Sequence, residues 1–218
     1  MKLLYSLILI LFLSACSKSF VVVGNIPTPL IDRSSLNAKV KYSDQFRNYK
    51  YVEPGKKRAL ENVEFGDAQV GLFDRIFAGI FNLVGDQEED IDINIEPSVL
   101  DFQYSVPSET KSTQYEVWLK YRIKVSDNKN GEIADWVVKG YGKTPDSLLV
   151  SHLKLFNKAS NIALRDVGAQ LAIGFRNQPS IEDFLNKAIN LSGSENNILN
   201  ETDLQTKTNV DQPDSESE

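Results

Sequence analysis

Apolar and polar residues alternate in an early stretch of the chain, residues 36–42. The apolar positions there are Leu36, Ala38, Val40 and Tyr42. A period of two predicts a strand with one buried face. A second strand is predicted at residues 49–52, and the turn residues Pro54 and Gly55 follow it. The predicted domain therefore begins with two strands.

The apolar period changes to three and four residues from Asp67 onward, which predicts a helix with one apolar face. That face consists of Val70, Phe73, Ile76, Phe77, Ile80, Phe81 and Val84. Gly66 and Asp67 can begin this helix, and Gly85 can end it. We interpret its aromatic residues as core rather than as a ligand site.

Alternation returns over residues 91–106, but its phase changes after Pro97. The apolar positions are Ile91, Ile93 and Ile95 before the change, and Leu100, Phe102, Tyr104 and Val106 after it. A change of phase within one apolar run predicts a strand with a bulge or break, here at residues 96–97.

The clearest strand is predicted at residues 115–125, where every odd-numbered residue is apolar. The composition of residues 127–131 is typical of a turn, and a second strand is predicted at residues 133–141. We therefore expect these two strands to form an antiparallel hairpin.

Residues 140–146 are predicted to form a loop that leads into a second long helix. The apolar positions of that helix are Leu149, Leu153, Phe156, Ala159, Ala163, Val167 and Leu171. Residues 177–179 are expected to end it, and Ser180 with Asp183 predicts the N-cap of a short third helix.

These elements together predict an α+β fold. Their order is ββαβββα plus a short C-terminal helix. The economical arrangement is a mostly antiparallel sheet with the two main helices packed on one face.

The first 15 residues have the arrangement of a secretory signal peptide, with Lys2, an apolar run and the small residues Ser14 and Ala15. The apolar run is shorter than the ~20 residues that cross a bilayer, although an uncleaved anchor is the alternative. The sequence Leu13-Ser14-Ala15-Cys16 resembles the lipobox of bacterial lipoproteins, and Cys16 is the only cysteine of the chain.

This resemblance implies that cleavage leaves Cys16 as the first mature residue, modified with acyl chains such as palmitate. Two or three acyl chains anchor a protein stably, whereas one is marginal. In such lipoproteins an aspartate after the cysteine favours the inner membrane, and Ser17 stands there instead. The resemblance therefore implies a lipid-anchored protein at the periplasmic face of the outer membrane.

Four segments are predicted along the 218 residues: a signal peptide (1–15), a lipidated tether (16–35), a single α+β domain (36–191) and an acidic disordered tail (192–218). A fully extended tether of this length could hold the domain up to ~65 Å from the bilayer. An equally weighted alternative is that residues 21–23 form an edge strand of the domain.

The net charge of −6 is concentrated in the tail, which has seven acidic residues and a single basic one, Lys207. Its polar composition predicts disorder, and the alternative is an acidic docking tail. The rest of the chain is neutral overall and has no basic stripe. This pattern argues against nucleic-acid binding.

Candidate catalytic residues are few. His152 is the only histidine, and Ser151 beside it would point about 100° away on a helix. No His or Cys cluster has metal-ligand spacing. The acidic residues 86–92 could weakly hold Ca²⁺ as an alternative to a solvated loop, but they lack the spacing and the central glycine of an EF-hand. Residues 140–144 do not match a phosphate-binding loop. We therefore expect no enzyme activity, no metal and no cofactor.

The polar side of the predicted hairpin offers a candidate binding face. It consists of Trp118, Lys120, Arg122 and Lys124. Together with Trp136 these residues could form a basic, aromatic surface if no helix covers it, and such a surface would suit an anionic lipid, a glycan or a partner protein. The alternative is that Trp118 only shields the outer side of the hairpin and that Trp136 lies in the core.

The lipobox, the proline-containing segment at residues 26–33 and the order of elements resemble two groups of envelope proteins. They are the auxiliary lipoproteins of ABC-type transport systems and, more loosely, the lipopolysaccharide-assembly lipoproteins. The resemblance implies a non-catalytic accessory or scaffold in envelope assembly or transport, with an envelope protein as its partner. The alternative is a lipid- or glycan-binding module. No particular oligomeric state is predicted.

Overall fold

The computed structural model describes residues 19–52, 60, 62–85, 90–129 and 131–188. The chain separates into two compact units, one ending at Gly174 and the other beginning at Phe175. The predicted leader, Cys16, the acidic residues 86–89 and the predicted tail lie outside the described residues.

Eight strands and four helices follow one another along the described residues. In chain order they are β1 (Ser19–Val21), β2 (Asn37–Val40), α1 (Asp44–Arg47), β3 (Lys50–Val52), β4 (Asn62–Glu64), α2 (Gly66–Ile80), β5 (Asn82–Leu83), β6 (Ile93–Ser105), β7 (Gln114–Asp127), β8 (Glu132–Pro145), α3 (His152–Gly174) and α4 (179–188).

A five-stranded sheet with the order β5-β2-β6-β7-β8 forms the centre of the first unit. Strand β2 pairs in parallel with β5 and β6, and the three long strands β6, β7 and β8 pair antiparallel. The predicted α+β class with a mostly antiparallel sheet is confirmed, and so is the hairpin of β7 and β8.

The two long helices pack on one face of this sheet, which we call the inner face. From α2, the ring of Phe73 meets the ring of Tyr121 on β7 edge to face, at 5.3 Å between centroids. From α3, Ala163 lies against Gly140 on β8. Since Tyr121 pairs with Val138 and Leu119 pairs with Gly140, these β7 and β8 contacts are on the same side of the sheet.

The helix α2 ends four residues earlier than predicted. Phe81 is its C-cap in an extended conformation, and it is fully buried. The chain then joins the sheet, where the Asn82 N–H donates to the Leu36 carbonyl and the Val84 N–H donates to the Ala38 carbonyl. Residues 82–84 therefore belong to the sheet, and the helix does not continue through them.

The bulge in β6 is also displaced from its predicted place. Pro97 pairs in register with Ile123 and is buried, so no break occurs at residues 96–97. The register shifts between Val99 and Asp101, and Leu100 is exposed there. The extra residue at this bulge, rather than the proline, changes the phase of the apolar pattern.

The predicted loop at residues 140–146 is wrong, because residues up to Pro145 belong to β8. Gly140 and Gly142 face α3 at very short range. A Cβ added at Gly142 would lie 2.1 Å from the Ala159 carbonyl oxygen, and one added at Gly140 would lie 2.4 Å from the Ala163 carbonyl oxygen. These glycines therefore mark a close approach of helix and strand rather than a turn.

A small second sheet lies over one end of the inner face. Its order is β1-β4-β3, with β1 parallel and β3 antiparallel to β4. The ring of Tyr51 on β3 packs against Phe102 on β6 at 5.0 Å between centroids. Strands β4 and β5 and the short helix α1 are too short for periodicity to reveal, and the sequence did not predict them.

The residues that precede β2 are not a free tether over residues 19–35. Strand β1 is an edge strand displaced from the alternative at residues 21–23, with which it shares only Val21, and it is followed by an extended segment, residues 22–33, which we call the strap. Val22 and Ile26 in the strap are buried, Gly24 lies against Ala68 of α2, and Pro29 lies against Gly79 of the same helix.

Side chains of α3 hold the other side of the strap. The amide of Asn161 donates to the Val23 carbonyl at 2.8 Å and accepts from the Asn25 N–H at 2.6 Å. The guanidinium of Arg165 donates to the Asn25 carbonyl at 3.0 Å. The strap is therefore part of the folded body, because its backbone polar groups are satisfied there.

The second unit is described over residues 175–188 and contains α4. The Glu182 N–H donates to the Gln178 carbonyl at 2.9 Å, so the helix starts before Ser180. The predicted N-cap at Ser180 is therefore displaced. Pro179 occupies the first helical position, where a backbone N–H would have no acceptor within the helix, so proline loses no hydrogen bond there.

Candidate functional site

The strand β7 brings the four predicted surface residues to one side of the sheet. Trp118, Lys120, Arg122 and Lys124 alternate with the buried residues of the inner face. They lie on the side of the sheet opposite to α2 and α3, which we call the outer face. On this face Trp118, Arg122 and Lys124 are exposed and Lys120 is half-buried, so neither α2 nor α3 covers the four residues.

An aromatic pair occupies one end of the outer face. Trp118 pairs in register with Tyr141 on β8, and their ring centroids are 5.4 Å apart. The Tyr141 hydroxyl donates to Glu116 Oε1 at 2.6 Å, and this hydrogen bond raises the pKa of Tyr141. Both rings are partly exposed, so they offer apolar surface with a fixed geometry.

A cleft of about 450 Å³ adjoins this aromatic pair. It is lined by Asp101, Gln103, Trp118, Leu119, Lys120, Lys139, Gly140, Tyr141, Asp166 and Gln170. Three strands and the helix α3 therefore contribute residues around the rings. Of the four predicted residues, Trp118 and Lys120 line the cleft, and Arg122 and Lys124 do not.

Two residues of α3 also cover the exposed edge of β8 at the cleft. The Tyr141 N–H donates to Asp166 Oδ2 at 3.0 Å, and Gln170 Nε2 donates to the Lys139 carbonyl at 2.6 Å. An edge strand otherwise presents unpaired N–H and C=O groups to another chain. At residues 139–141 these two groups are occupied.

The cations of β7 have acidic neighbours on the adjacent strands. Arg122 Nε donates to both carboxylate oxygens of Asp135, at 2.7 and 3.0 Å. Lys124 lies in register between Glu96 on β6 and Asp135 on β8, and Lys120 lies beside Asp101. The outer face therefore carries charges of both signs.

The pair of Arg122 and Asp135 predicts a measurable titration. The hydrogen bond from Arg122 holds the pKa of Asp135 below its ordinary value of 3.8, and Lys124 adds a smaller charge effect. Since the folded-state pKa is lowered, the pair stabilises the fold above about pH 4, and this contribution is lost as the pH falls through the lowered pKa. In Arg122→Gln we expect the pKa of Asp135 to rise toward its ordinary value, as measured by NMR of the carboxyl carbon.

The matched control for this titration is Lys124→Gln, which removes a charge but no hydrogen bond to Asp135. We expect a smaller rise of the Asp135 pKa in that variant. Equal rises in the two variants would contradict the hydrogen bond as the main cause.

Other residues that the sequence singled out lie elsewhere. Trp136 pairs with Ile123 on the inner side and is half-buried, so it does not join Trp118. His152 is the first residue of α3, where its Nδ1 contacts the Tyr115 hydroxyl and lies 3.9 Å from Asp146 Oδ1. Cys16 is outside the described residues.

The sequence did not identify the contributions of β8 and α3 to the cleft. Tyr141 is the last residue of the predicted strand at residues 133–141 and also falls in the predicted loop at residues 140–146, so the sequence did not place it in the middle of a strand. Asp166 and Gln170 are four residues apart, which places them on one side of a helix, but nothing in the sequence indicates that this side borders a strand edge.

Neither a metal-binding cluster nor a membrane-spanning helix occurs among the described residues. Three or more His, Cys, Asp or Glu side chains grouped as a metal site are not found in them. Within the same residues, none of the helices has the length and apolar character needed to span a bilayer.

Comparison with known proteins gave only distant likenesses. No family model and no curated protein matches the chain. A solved protein from Xanthomonas campestris is similar at a TM-score of 0.47 and 12% identity, over 74% of this chain and 98% of that one. A minor lipoprotein from Acinetobacter baumannii is similar at a TM-score of 0.41 and 10% identity, over 66% and 94%.

Rare lipoprotein B from Shewanella oneidensis is also similar, at a TM-score of 0.35 and 12% identity, over 72% of this chain and 98% of that one. At these scores and identities the likenesses assign neither a family nor an activity to this chain. The resemblance to auxiliary and lipopolysaccharide-assembly lipoproteins stays a prediction.

Proposed function

We propose that this chain is a non-catalytic lipoprotein of the outer membrane, anchored on its periplasmic face through acylated Cys16. Its body acts as an accessory or scaffold that binds another envelope protein through the outer face of the sheet. The observation that carries this proposal is the exposed aromatic pair of Trp118 and Tyr141 at the cleft on the outer face.

The chemistry of this face suits a protein partner. Tryptophan and tyrosine are enriched in the cores of protein interfaces because they bury a large area with few rotatable bonds. The same face carries charged groups of both signs, and Arg122 is paired with the carboxylate of Asp135. A partner that covers the outer face would therefore meet apolar rings at one end and paired charges along the rest of the face.

The anchoring part of the proposal has a direct test. Cys16→Ala removes the sulfur that would receive the acyl chains, so we expect labelled palmitate to disappear from the protein. The protein should then leave the membrane fraction, because the acyl chains that would anchor it are absent. Cys16→Ala protein that still carries the label and sediments with membranes would contradict the proposal.

The scaffold role is tested by crosslinking in intact cells. A photoreactive amino acid at position 118 samples the cleft, and the same group at position 30, where Leu30 is fully exposed on the strap, serves as the control. We expect one defined envelope protein to be captured from position 118 and not from position 30. Tyr141→Ala should weaken this capture, since it removes half of the aromatic pair.

A second candidate function is a glycan- or lipid-binding module, and the lining of the cleft favours it. Aromatic rings beside Asp101, Gln103, Asp166 and Gln170 offer a stacking surface together with hydrogen-bond donors and acceptors. Native mass spectrometry of the protein from the membrane would then detect a bound small molecule, and position 118 would capture no protein.

The proposal that the protein is non-catalytic draws on the surroundings of His152. Its side chain is largely exposed, and its described neighbours are a tyrosine hydroxyl and a carboxylate. The hydroxyl that contacts His152 is a phenol, and burial raises the pKa of Tyr115, so this hydroxyl stays protonated and is a weak nucleophile. Ser151 precedes His152 at the start of the helix and is not paired with it in any described hydrogen bond.

A further inference from the structure

Four exposed apolar residues form a tip between β8 and α3. Leu148 and Leu149 in the loop are 104% and 96% exposed, Val150 is 39% exposed, and Leu153 on the first turn of α3 is 50% exposed. We call these four residues the apolar tip. Consecutive large apolar side chains left fully in water are typical of a surface that is covered in the working protein.

The strap shows where the apolar tip lies relative to the start of the described chain. The ring of Phe20 packs against Phe156 near the beginning of α3, at 5.3 Å between centroids. The Val23 N–H donates to Asn157 Oδ1 at 3.0 Å, and the Asn25 N–H donates to Asn161 Oδ1. The contacts of the described chain therefore begin near the N-terminal end of α3 at Phe20 and advance along the helix as the chain continues into the strap.

Chain length then limits the position of Cys16. Cys16 precedes Ser19 by three residues, and three residues span at most ~10 Å. Leu153 precedes Phe156 by three residues of helix, a rise of about 4.5 Å. A Cys16 at most ~10 Å from Ser19 can therefore reach the end of the body that carries the apolar tip.

We propose that the apolar tip inserts into the same bilayer leaflet that holds the acyl chains of Cys16. This inference rests on the lipid anchoring proposed above. The leucines would lie at the boundary between headgroups and acyl chains, as the apolar faces of interfacial segments do. Exposed Lys154 and Lys158 on the first two turns of α3, which has no acid in its first turn, would lie near lipid phosphates.

Insertion gives the body two points of attachment and hence a fixed orientation. Tyr115 at the start of β7 contacts His152 beside the apolar tip. Trp118 is three strand residues further on, about 10 Å away. The cleft is then held just above the membrane surface, where an envelope partner can reach it.

The test uses the full acylated protein with a single labelled cysteine. The sulfur of Cys16 is blocked by its lipid, so Leu149→Cys introduces the only free thiol of the chain. This thiol is labelled with an environment-sensitive nitrobenzoxadiazole dye, and the protein is reconstituted into vesicles of phosphatidylethanolamine and phosphatidylglycerol in equal parts. The control is Val137→Cys, an exposed position on β8 eight residues, about 26 Å, from the strand end at Pro145.

We expect the dye at position 149 to shift its emission to the blue on reconstitution and to be quenched by lipids with a nitroxide on the acyl chain. The dye at position 137 should show neither effect. Acylated protein that floats with the vesicles but leaves the dye at 149 unquenched would overturn this inference alone. Protein whose mass shows no acyl chains on Cys16 would overturn the proposed function, and this inference with it.

Discussion

Gly142→Ala is expected to destabilise the protein by about 3 kcal/mol. The added methyl group would lie 2.1 Å from the Ala159 carbonyl oxygen and 2.4 Å from the Ala163 nitrogen. Both are backbone atoms of α3, so the clash cannot be relieved by rotating a side chain. The helix would have to move away from β8, which would loosen the buried contacts of the inner face.

Urea denaturation followed by tryptophan fluorescence measures this effect, in leaderless protein that carries Cys16→Ala. The matched control is Gly71→Ala in α2, where an added methyl group meets no atom within 4 Å. Gly71→Ala should stabilise the protein by about 0.5 kcal/mol, because glycine is unfavourable inside a helix. A Gly142→Ala variant as stable as the unaltered protein would contradict the close packing of α3 on β8.

Gln69→Leu is the second large effect, an expected loss of about 3 kcal/mol. The fully buried Gln69 on α2 donates to the Phe46 carbonyl at 2.6 Å and accepts from the Tyr121 hydroxyl at 3.1 Å. Burial raises the pKa of Tyr121, so its hydroxyl remains a donor. Leucine has a similar volume but leaves a buried donor and a buried acceptor without these partners.

A double-mutant cycle separates this network from packing. Tyr121→Phe alone leaves Gln69 Oε1 unpaired and should cost about 1 kcal/mol, since the bond to Phe46 is kept. In the double variant the unpaired hydroxyl is gone, so the combined loss should fall short of the sum of the two single losses by about 1 kcal/mol. Strictly additive losses in urea denaturation would show that Gln69 and Tyr121 are not coupled.

The longest elements could be predicted from the sequence because each contains several periods of its apolar pattern. The strand β7 shows a strict period of two over most of its length, and α3 shows helical spacing over more than five turns. Their mutual arrangement follows from the same pattern, since an apolar face must be buried against another. These features suffice to predict the α+β class and to predict that Trp118 lies on the outer face of the sheet.

The cleft could not be predicted, because it depends on contacts between residues distant in sequence. Asp166 reaches the edge of β8 only because glycines at positions 140 and 142 let the helix approach. Glycine-tyrosine-glycine resembles a turn when the neighbouring helix is unknown. The same limitation applies to the charges, since the acids beside Arg122 and Lys124 come from other strands.

The strap shows a further limit of pattern analysis. Its prolines and its lack of periodicity are typical of a linker, yet Val22 and Ile26 are buried. The difference arises from side chains of α3 that satisfy the strap's backbone, and Asn157 and Asn161 carry no such signal in the sequence.

The strap also determines how a pulling force on the N-terminal residues would act on the fold. Asparagines of α3 form hydrogen bonds with its carbonyl and N–H groups, and its other side packs against α2. A force applied to the chain before Ser19 would therefore reach the folded part of the protein directly at β1 and the strap. A force that pulls the domain away from its N-terminal attachment would therefore act on the hydrogen bonds between the strap and α3.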